Sequence, residues 1–307
     1  MRGSDDRISR SDYWLGKFAR LRVDRARGDP APHKPLLLLA LCDLAENGEL
    51  RDVLTLSPEL AFRFYTYWNI VAGRRAQRPD VRLPFHHLTG DGIWSVIDER
   101  GEPSPDKKLT KRARLPSDFV AFLEDPSSRE KARHLLIAKY FRPFEQIALY
   151  EMIGLPVPSQ QEIERSAAYR SPEDARMAGR EARFRIRVVT AYNYTCALTG
   201  YRLTTVTAGS IVDAAHIHEF RDSRNNDPRN GIALCKNAHW SFDQGLWTIS
   251  DDYRVIVALG RFTEAGPTKV DLLENHHGRR LHLPRDKTLW PDPIHLAWHR
   301  KGRFRVA

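Results

Sequence analysis

Three residues in the segment 212–245 are the first candidates for proton transfer or metal binding: His216, Asn230 and His239. The segment reads VDAAHIHEFRDSRNNDPRNGIALCKNAHWSFDQG. Histidine can take up a proton near neutral pH and can also ligate a metal ion. The segment is therefore a candidate site for either kind of chemistry, and a metal held there could be structural or catalytic.

The local sequence predicts two strands and a helix as the elements that carry these residues. Apolar and polar residues alternate in SIVDAAHIHEF, and NGIALC places an Asn-Gly turn before an apolar strand. Together the two runs predict a hairpin with a long polar loop. KNAHWSFDQG then predicts one or two helical turns that end at Gly245. In this arrangement His216 ends the first strand, Asn230 lies at the loop exit and His239 lies on the helix, so the three could converge.

The spacing of these residues, with DAAHI before them and NGIALC and HWSFDQG around them, resembles the HNH endonuclease family over about residues 181–262. The resemblance implies a ββα-metal fold that hydrolyses phosphodiesters with a divalent cation, Mg²⁺ or Mn²⁺. It implies that His216 is the general base that activates water and that His239 ligates the cation. Asn230 would steady the loop and orient the base or the metal shell. A histidine base and one metal ion supply what this hydrolysis requires.

Two aspartates are candidates for a further ligand of the cation. Many family members have an acidic or histidine ligand directly before the base, where this chain has Ala215. Strand periodicity places Asp213 on the same face as residue 215, so Asp213 can reach the cation directly or through water. Asp243 follows His239 by one helical turn and is the alternative ligand, or a partner of His239. We predict Asp213 and His239 as the metal ligands.

The cysteines argue against the structural zinc that many HNH proteins hold on two CxxC pairs. CALTG has Thr199 in place of the second cysteine of one pair, and CKNA has Ala238 in place of that of the other. Two thiolates are too few for a closed four-cysteine site, and neither replacement is an ordinary zinc ligand. We therefore expect no structural zinc, and we expect Cys196 and Cys235 to be small buried side chains.

The remaining histidines of the C-terminal half are predicted to be surface or hydrogen-bonding residues rather than ligands. They are His218, His276, His277, His282, His295 and His299. The tail LPRDKTLWPDPIHLAWHRKGRF resembles the segment that closes HNH domains of this subtype. The resemblance implies that the tail packs on the core or contacts the phosphate backbone.

The N-terminal part of the chain is predicted to be mainly helical. SDYWLGKFARLRV has apolar residues at helical spacing, PLLLLALCDLAENGEL stops at an Asn-Gly pair, and SPELAFRFYTYWNIV opens with a Ser57 cap. SREKARHLLIAKYF predicts an amphipathic helix with its basic residues opposite the apolar stripe. Between these elements, GRRAQRPDVRLPFHHLTGDGIWSVI is predicted to be a basic, aromatic-lined loop that leads into a short strand at GIWSVI.

PHKPLLLLALCDL and RLPFHHLTGDGIW together resemble the DNA sulfur-binding domains fused to HNH nucleases in type IV restriction enzymes, over about residues 10–155. Such domains recognise phosphorothioated DNA, in which sulfur replaces a non-bridging backbone oxygen. Sulfur is larger and more weakly hydrated than oxygen, so its pocket should be apolar and closely shaped, with cations around it. The resemblance implies that Pro84, with Leu83 or Phe85 beside it, contacts the sulfur.

The same resemblance implies further DNA-binding residues. The phosphate and the neighbouring bases would be held by His33, Arg82, His86 and His87. Arg74, Arg75 and Arg78 are candidates for backbone or base-edge contacts, because arginine forms bidentate hydrogen bonds with phosphate oxygens and with guanine. The alternative is that Pro84 and Phe85 belong to the helical core and that the arginines are solvated.

Composition fits a DNA-binding protein of two domains. The chain has 307 residues, of which 41% are hydrophobic, enough for two cores. Its 49 Lys+Arg against 39 Asp+Glu give a net charge of +10, which favours nucleic acid as the partner over an acidic membrane surface. No apolar run approaches the roughly eighteen residues of a membrane span, and MRGSDDRISR lacks a signal-peptide core. With only three cysteines, a soluble protein of the bacterial cytoplasm is expected.

We predict an α+β protein with three segments. They are a mainly helical DNA sulfur-binding domain at 10–155, a linker and basic helix at 156–180, and a ββα-metal HNH domain with its tail at 181–307. The predicted activity is modification-dependent cleavage of phosphorothioated double-stranded DNA, and duplex cleavage would be simplest in a homodimer with two active sites. Two alternatives stay open: an HNH nuclease directed to methylated or unmodified DNA, and a catalytically inactive DNA-binding regulator.

Overall fold

The fold consists of two compact units. The computed structural model describes residues 10–25, 29–71, 78–104, 106, 110–157, 172–267 and 271–304. One unit is Met1–Gly179 with Thr205–Gly209, and the other is Arg180–Thr204 with Ser210–Ala307. Both contain helices and small sheets, which confirms the predicted α+β class. The exact domain limits at 10–155, 156–180 and 181–307 stay a prediction.

Helices dominate the described part of the first unit. They are α1 (Arg10–Ala19), α2 (His33–Glu46), α3 (Pro58–Val71), α4 (Arg82–His87), α5 (Ser117–Glu124), α6 (Pro126–Tyr140) and α7 (Pro143–Ile153). The leucine run makes α2 a core helix, and its chain leaves at Gly48 with a φ of 67°, a conformation that favours glycine. Ser57 caps α3, because the Leu60 amide donates to its hydroxyl at 3.2 Å. The sequence predicted these helix starts and stops from local signals.

The first unit also has a small antiparallel sheet and one helix that the sequence did not predict. The strands β1 (Val53–Thr55), β2 (Ser95–Ile97) and β3 (Arg112–Arg114) pair in the order β1-β3-β2. Of these, only β2 was predicted, in GIWSVI. The predicted loop at RLPFHH is wrong, since these residues form α4. Burial of Phe85 against Trp94, with ring centroids 5.5 Å apart, outweighs the turn signals of Pro79 and Pro84.

A buried ion pair crosses the core of the first unit. Arg133 of α6 donates to Asp43 and to Glu46 of α2, both at 2.8 Å, and its side chain is only 5% exposed. The hydroxyl of Tyr67 also donates to Asp43 at 2.9 Å. The prediction that α6 turns its basic residues away from the apolar stripe is therefore wrong at this position. Its partner carboxylates make the burial of Arg133 possible.

The second unit is built on a strand, strand, helix motif, which confirms the predicted order. β6 (Val212–His216) pairs antiparallel with β7 (Gly231–Cys235), and α10 (Lys236–Asp243) follows directly. His216 stands opposite Gly231 in this register. The remaining elements around the motif are α8 (Pro172–Ala191), whose last residues belong to this unit, α9 (Phe220–Ser223), β8 (Trp247–Ile249) and β9 (Val255–Val257). The short strands β4 (Thr204–Thr205) and β5 (Gly209–Ser210) each have one residue in this unit and one in the first.

Cys196 is fully buried, whereas Cys235 is partly exposed. The expectation that both are small buried side chains is therefore wrong for Cys235.

The C-terminal tail packs on the core of the second unit, one of the two arrangements that the sequence implied. It ends in α11 (Pro293–Gly302), where Leu296 is fully buried. The His299 ring stacks on Phe242 of α10 at 3.8 Å, and its Nδ1 lies 2.8 Å from the hydroxyl of Thr248. Among the described residues, no helix is both long enough and apolar enough to cross a membrane.

Candidate active site and DNA-binding pocket

His216 lies at the end of β6, partly buried between aromatic rings. Its ring stacks on Phe184 of α8 with centroids 3.9 Å apart and an interplanar angle of 7°, and Phe220 lies at 5.7 Å on a tilted plane. Its Nε2 is 2.8 Å from Oδ1 of Asn226. An amide oxygen accepts hydrogen bonds, so the ring hydrogen is on Nε2 in this arrangement and Nδ1 carries the lone pair that can take a proton.

The surroundings of His216 favour its neutral form. Burial lowers the pKa of His216 below the ordinary histidine value of 6.5, the hydrogen bond with Asn226 opposes that shift, and positive charge on His239 lowers the pKa further. A general base must be unprotonated before it can accept a proton from water. His216 thus has the protonation state that the predicted role needs.

Asn230 is fully buried and holds the loop between β6 and β7. Its Oδ1 accepts from the amide of His218 at 2.8 Å, and its Nδ2 donates to the carbonyls of His218 and Asn225 at 2.9 and 3.0 Å. The asparagine that contacts His216 is Asn226, which the sequence analysis missed. RNNDPRN contains three asparagines, and spacing alone does not say which of them reaches the ring.

The predicted metal-binding residues fall into two separate pairs. His239 Nε2 lies 3.5 Å from Oδ2 of Asp243, one turn further along α10. Asp213, half exposed, accepts from Arg185 Nε at 2.6 Å and from the amide of Ala214 at 2.9 Å. Within the described ranges, no three His, Cys, Asp or Glu side chains come together as a metal-binding group. The geometry therefore pairs His239 with Asp243 and leaves Asp213 bound to Arg185.

One imidazole and one carboxylate fit a Mg²⁺ or Mn²⁺ ion. Such an ion keeps several of its water ligands and is bound through one or two protein groups together with substrate phosphate oxygens. Burial raises the pKa of Asp243, and positive charge on His239 opposes that shift. Asp243 can still bind a metal ion, because a nearby cation would favour the ionised form of its carboxylate.

Gly231 allows α8 to approach the end of the hairpin. A Cβ at this position would lie 2.5 Å from Cγ2 of Val188 and 2.7 Å from Cζ of Phe184, closer than real Cβ contacts. Because Gly231 pairs with His216, this close packing places Phe184 against the imidazole ring of His216. The glycine that the sequence analysis used only as a turn signal therefore has a packing role.

Two exposed arginines stand on α8 beside this contact. Arg183 and Arg187 are one helical turn apart, on either side of Phe184 in sequence. Partial burial lowers the pKa of Arg187, the positive charge of Arg183 lowers it further, and the negative charge of Asp227 opposes the shift. Two exposed cations thus stand on α8 beside the residue that stacks on His216.

A cavity of about 770 Å³ in the first unit brings together half of the predicted DNA-binding residues. The predicted residues that line it are His33, Arg78, Leu83, Pro84 and His87. Other lining residues were not predicted from the sequence, among them Arg22, Asp24, Lys34 and Asp80. The cavity thus combines the apolar pair Leu83 and Pro84 with several cationic groups.

Two basic side chains of this cavity, Lys34 and His33, make hydrogen bonds within the described structure. Lys34 Nζ donates to Asp91 at 2.6 Å and to the carbonyl of Arg22 at 2.7 Å, while Asp91 also accepts from the amide of Arg22 at 2.8 Å. His33 Nε2 donates to the carbonyl of Arg78 at 3.1 Å. A site ordered before its ligand arrives loses less entropy on binding.

The expectation that Phe85 lines the pocket is wrong. Phe85 is fully buried, and its carbonyl accepts from the indole of Trp94 at 2.9 Å. Leu83, 38% exposed, is the apolar residue that accompanies Pro84 at the cavity. Of the two neighbours that the sequence left open for Pro84, the structure places Leu83 at the surface.

Arg82 and His86 also lie outside the cavity lining. Arg82 forms an ion pair with Asp80 at 2.8 Å, and His86 Nδ1 lies 2.9 Å from the hydroxyl of Thr110. In a helix, successive side chains point about 100° apart, so the six residues of α4 cannot all face one cavity. Two further predicted residues, Arg74 and Arg75, lie outside the described residues.

Two protein families account for most of the described chain. Residues 196–250 match the family model HNH_2, described as HNH endonuclease, and residues 12–157 match the model described as ScoMcrA-like, DNA sulfur-binding domain. The chain joins a DNA sulfur-binding domain to an HNH endonuclease domain. The HNH match contains β6, β7 and α10, and the sulfur-binding match contains the cavity with Leu83 and Pro84. HNH endonucleases are generally dependent on a divalent metal.

Two solved structures are similar to parts of this chain. The "Modification dependent TagI restriction endonuclease" is 21% identical with a TM-score of 0.31, over 41% of this chain and 39% of that one. The "Sulfur binding domain of SprMcrA complexed with phosphorothioated DNA" is 23% identical with a TM-score of 0.39, over 47% of this chain and 94% of that one. The match thus spans well under half of the TagI enzyme. No curated protein is a significant match to the sequence.

Proposed function

We propose that the protein is a modification-dependent endonuclease. Its sulfur-binding domain recognises phosphorothioated duplex DNA, and its HNH domain hydrolyses phosphodiester bonds nearby with a divalent metal. The observation that carries this proposal is a cavity lined by Leu83, Pro84 and several basic side chains in a domain of the sulfur-binding family, joined in one chain to an HNH domain.

In the proposed recognition step, the sulfur lies against Leu83 and Pro84, which line the cavity. An apolar surface favours sulfur over oxygen, because oxygen loses more hydration free energy when it leaves water. His33, Lys34 and Arg78 surround the remaining phosphate charge. Sulfur preference then comes from the apolar wall, and the affinity common to all DNA comes from the cations.

In the proposed cleavage step, His216 accepts the proton of the attacking water at Nδ1. Asn226 keeps the other ring nitrogen protonated and the ring oriented, and Asn230 holds the loop that carries Asn226. His239, with Asp243 or Asp213, would hold the divalent ion. When bound, such an ion neutralises charge on the scissile phosphate and on the leaving oxygen.

Arg183 and Arg187 are proposed to hold the DNA backbone next to the site of cleavage. They present two exposed positive charges one turn apart beside the Phe184–His216 stack. Arginine binds phosphate oxygens through two parallel hydrogen bonds, and such contacts position a duplex without reading its sequence.

The decisive experiment compares matched duplexes with and without one phosphorothioate. We expect tighter binding and faster cleavage of the phosphorothioated duplex, and we expect Leu83→Ala to reduce that preference. Lys139→Ala, on an exposed residue of α6 outside the cavity lining, serves as the matched control. Equal affinity for both duplexes would end the sulfur hypothesis, and selective binding of a methylated duplex would support a different recognition mode. Full cleavage by His216→Ala would remove the proposed mechanism.

The choice between the two aspartates needs a separate test. We expect Asp243→Asn to raise the Mg²⁺ or Mn²⁺ concentration needed for half-maximal cleavage, because Asp243 faces His239. We expect Asp213→Asn to change the required metal concentration less, because the Asp213 carboxylate is already bound to Arg185. The reverse order of effects would assign the ligand role to Asp213. Light scattering of the protein with its DNA would show whether two copies act on one duplex.

A further inference from the structure

The imidazole of His216 needs more than one contact to be held in a fixed direction. The χ2 torsion of histidine joins a tetrahedral carbon to a flat ring and has only broad minima, so it does not set the ring plane. The hydrogen bond to Asn226 holds Nε2 at 2.8 Å. Because Nε2 lies close to the axis of the χ2 rotation, that bond restrains the plane only weakly. A second contact must therefore fix the plane of the ring.

Phe184 of α8 provides a contact over the face of the imidazole. The two rings are nearly parallel, with an interplanar angle of 7° and centroids 3.9 Å apart. A turn of the imidazole about χ2 would drive one edge into Phe184 and lift the other edge away from it. Phe220 is more distant, at 5.7 Å, and its plane is tilted by 43°. The face of Phe184 therefore restricts the imidazole plane more than Phe220 does.

Phe184 is itself held by the packing of α8 on the hairpin. Its side chain is buried, and a Cβ on Gly231 would come within 2.7 Å of its Cζ, so the ring lies directly against the backbone of β7. The next residue, Arg185, donates from Nε to Asp213 of β6 at 2.6 Å. One helical turn after Phe184, Val188 also packs on Gly231. The helix is thus fixed to both strands next to the stack.

The plane of the imidazole decides where its free nitrogen points. The lone pair of Nδ1 lies in the ring plane, and proton transfer requires the base and the attacking water to be aligned along it. A ring that turns freely is rarely in that direction. A rigid stacking partner therefore contributes to the rate without contact to the substrate.

We propose that Phe184 is a positioning residue of DNA cleavage, because its ring fixes the plane of the His216 imidazole and with it the direction of the Nδ1 lone pair. This role rests on the proposed nuclease function. Phe184 precedes residues 196–250, so the role belongs to a part of the chain outside the HNH family match. Arg183 and Arg187 flank Phe184 on α8, so one helix would hold the DNA backbone and orient the base.

The competing interpretation is that Phe184 only fills the space between α8 and the hairpin. Phe184→Leu keeps a buried apolar side chain but has no flat face for the imidazole. Val188→Ala removes fully buried methyl groups from the same helix and does not alter the stacked rings, so it is the matched control for loosened packing. Phe184→Met also lacks a flat face and replaces the leucine variant if that variant does not fold, because methionine fills irregular gaps.

The first measurement is the NMR spectrum of the full chain with labelled histidine, without DNA or metal. Protons held over the face of a phenyl ring resonate upfield of their ordinary position. His216→Gln identifies the signals of His216 among the 12 histidines. We expect upfield-shifted ring signals for His216 in the wild type and in Val188→Ala, and the loss of that shift in Phe184→Leu. Signals at the ordinary position in the wild type would overturn the proposal.

The second measurement is single-turnover cleavage of a phosphorothioated duplex at saturating DNA and metal, together with the affinity for that duplex. We expect Phe184→Leu to slow cleavage by about 10- to 100-fold, because the base is misdirected, and to leave the DNA affinity unchanged. Val188→Ala should cleave at close to the wild-type rate under conditions where circular dichroism shows all three proteins folded.

The outcomes separate this role from the nuclease function itself. Absence of cleavage by the wild type would end the nuclease proposal and, with it, any role of Phe184 in cleavage. Wild-type cleavage that folded Phe184→Leu matches, or equal slowing by Phe184→Leu and Val188→Ala, would end the positioning role alone. Slow cleavage by Phe184→Leu with unchanged His216 signals would also overturn that role, because the imidazole plane would not be the cause.

Discussion

The hydrogen bond between Asn226 and His216 predicts how the rate of DNA cleavage changes with mutation. Asn226→Ala removes an acceptor 2.8 Å from Nε2 and leaves a partly buried ring without that partner. A neutral hydrogen bond contributes about 0.5–1.5 kcal/mol, and about 1.4 kcal/mol in the barrier is tenfold in rate. We therefore expect cleavage to slow about two- to tenfold, because the ring loses its orientation and its preferred tautomer.

The pH dependence supplies a sharper readout of the same bond. His216 acts as a neutral base, so activity falls as the pH drops through its pKa. Burial lowers that pKa and the Asn226 hydrogen bond raises it. Asn226→Ala should therefore lower the pKa of His216 and move the acidic limb of the pH–rate profile to lower pH. Asn226→Asp places a negative charge at the ring, stabilises its protonated form, and should move the limb to higher pH.

The assay is single-turnover cleavage of a phosphorothioated duplex across the acidic range, with the metal saturating at each pH. Asn225→Ala is the control, because Asn225 belongs to the same loop and bonds to Asp227 rather than to the His216 ring. The acidic limb of the pH–rate profile of Asn225→Ala should lie at the same pH as that of the wild type. The reasoning is refuted if both Asn226 variants slow cleavage without moving the limb, or move it in the same direction.

Three more predictions concern packing and charge. Gly231→Ala puts a Cβ 2.5 Å from a methyl of Val188, so we expect a loss of about 1–3 kcal/mol in unfolding free energy, measured by urea titration. Replacing Arg183 and Arg187 by glutamine should reduce the slope of log affinity against log salt by about 0.9 for each lost phosphate contact, and should leave the sulfur preference unchanged. Arg133→Ala leaves the largely buried Asp43 carboxylate without its ion-pair partner and should cost about 3–5 kcal/mol, whereas an unchanged denaturation midpoint would show that the ion pair contributes nothing.

The hairpin and helix of the HNH domain were predictable because their signals are local. Alternation in SIVDAAHIHEF, the Asn-Gly turn and the position of Gly245 depend on neighbouring residues, and β6, β7 and α10 follow them. The helices α2 and α3 were predictable for the same reason, from a leucine run, a serine cap and an Asn-Gly stop. Family matches to both parts of the chain agree with the resemblances drawn from those segments.

The RLPFHH segment shows where local signals fail. Pro79 before the segment and Pro84 within it predicted a loop, but a phenylalanine that fits the core and a tryptophan nine residues later stabilise a short helix. Once the segment is helical, its side chains point in different directions. Leu83 and Pro84 then face the cavity, whereas Phe85 enters the core and Arg82 pairs with Asp80.

The sequence by itself determined which side chains are capable of the chemistry and which strands and helix carry them. Only the tertiary structure decided which remote side chains meet: Asn226 rather than Asn230 bonds to His216, and Asp213 bonds to Arg185 of α8. The physical reason is that α8, from a distant part of the chain, packs on Gly231, stacks Phe184 on the His216 ring and binds Asp213 through Arg185. Close packing between remote segments fixes side-chain directions closely enough to form particular hydrogen bonds. Sequence periodicity shows only on which face of a strand or helix a side chain lies.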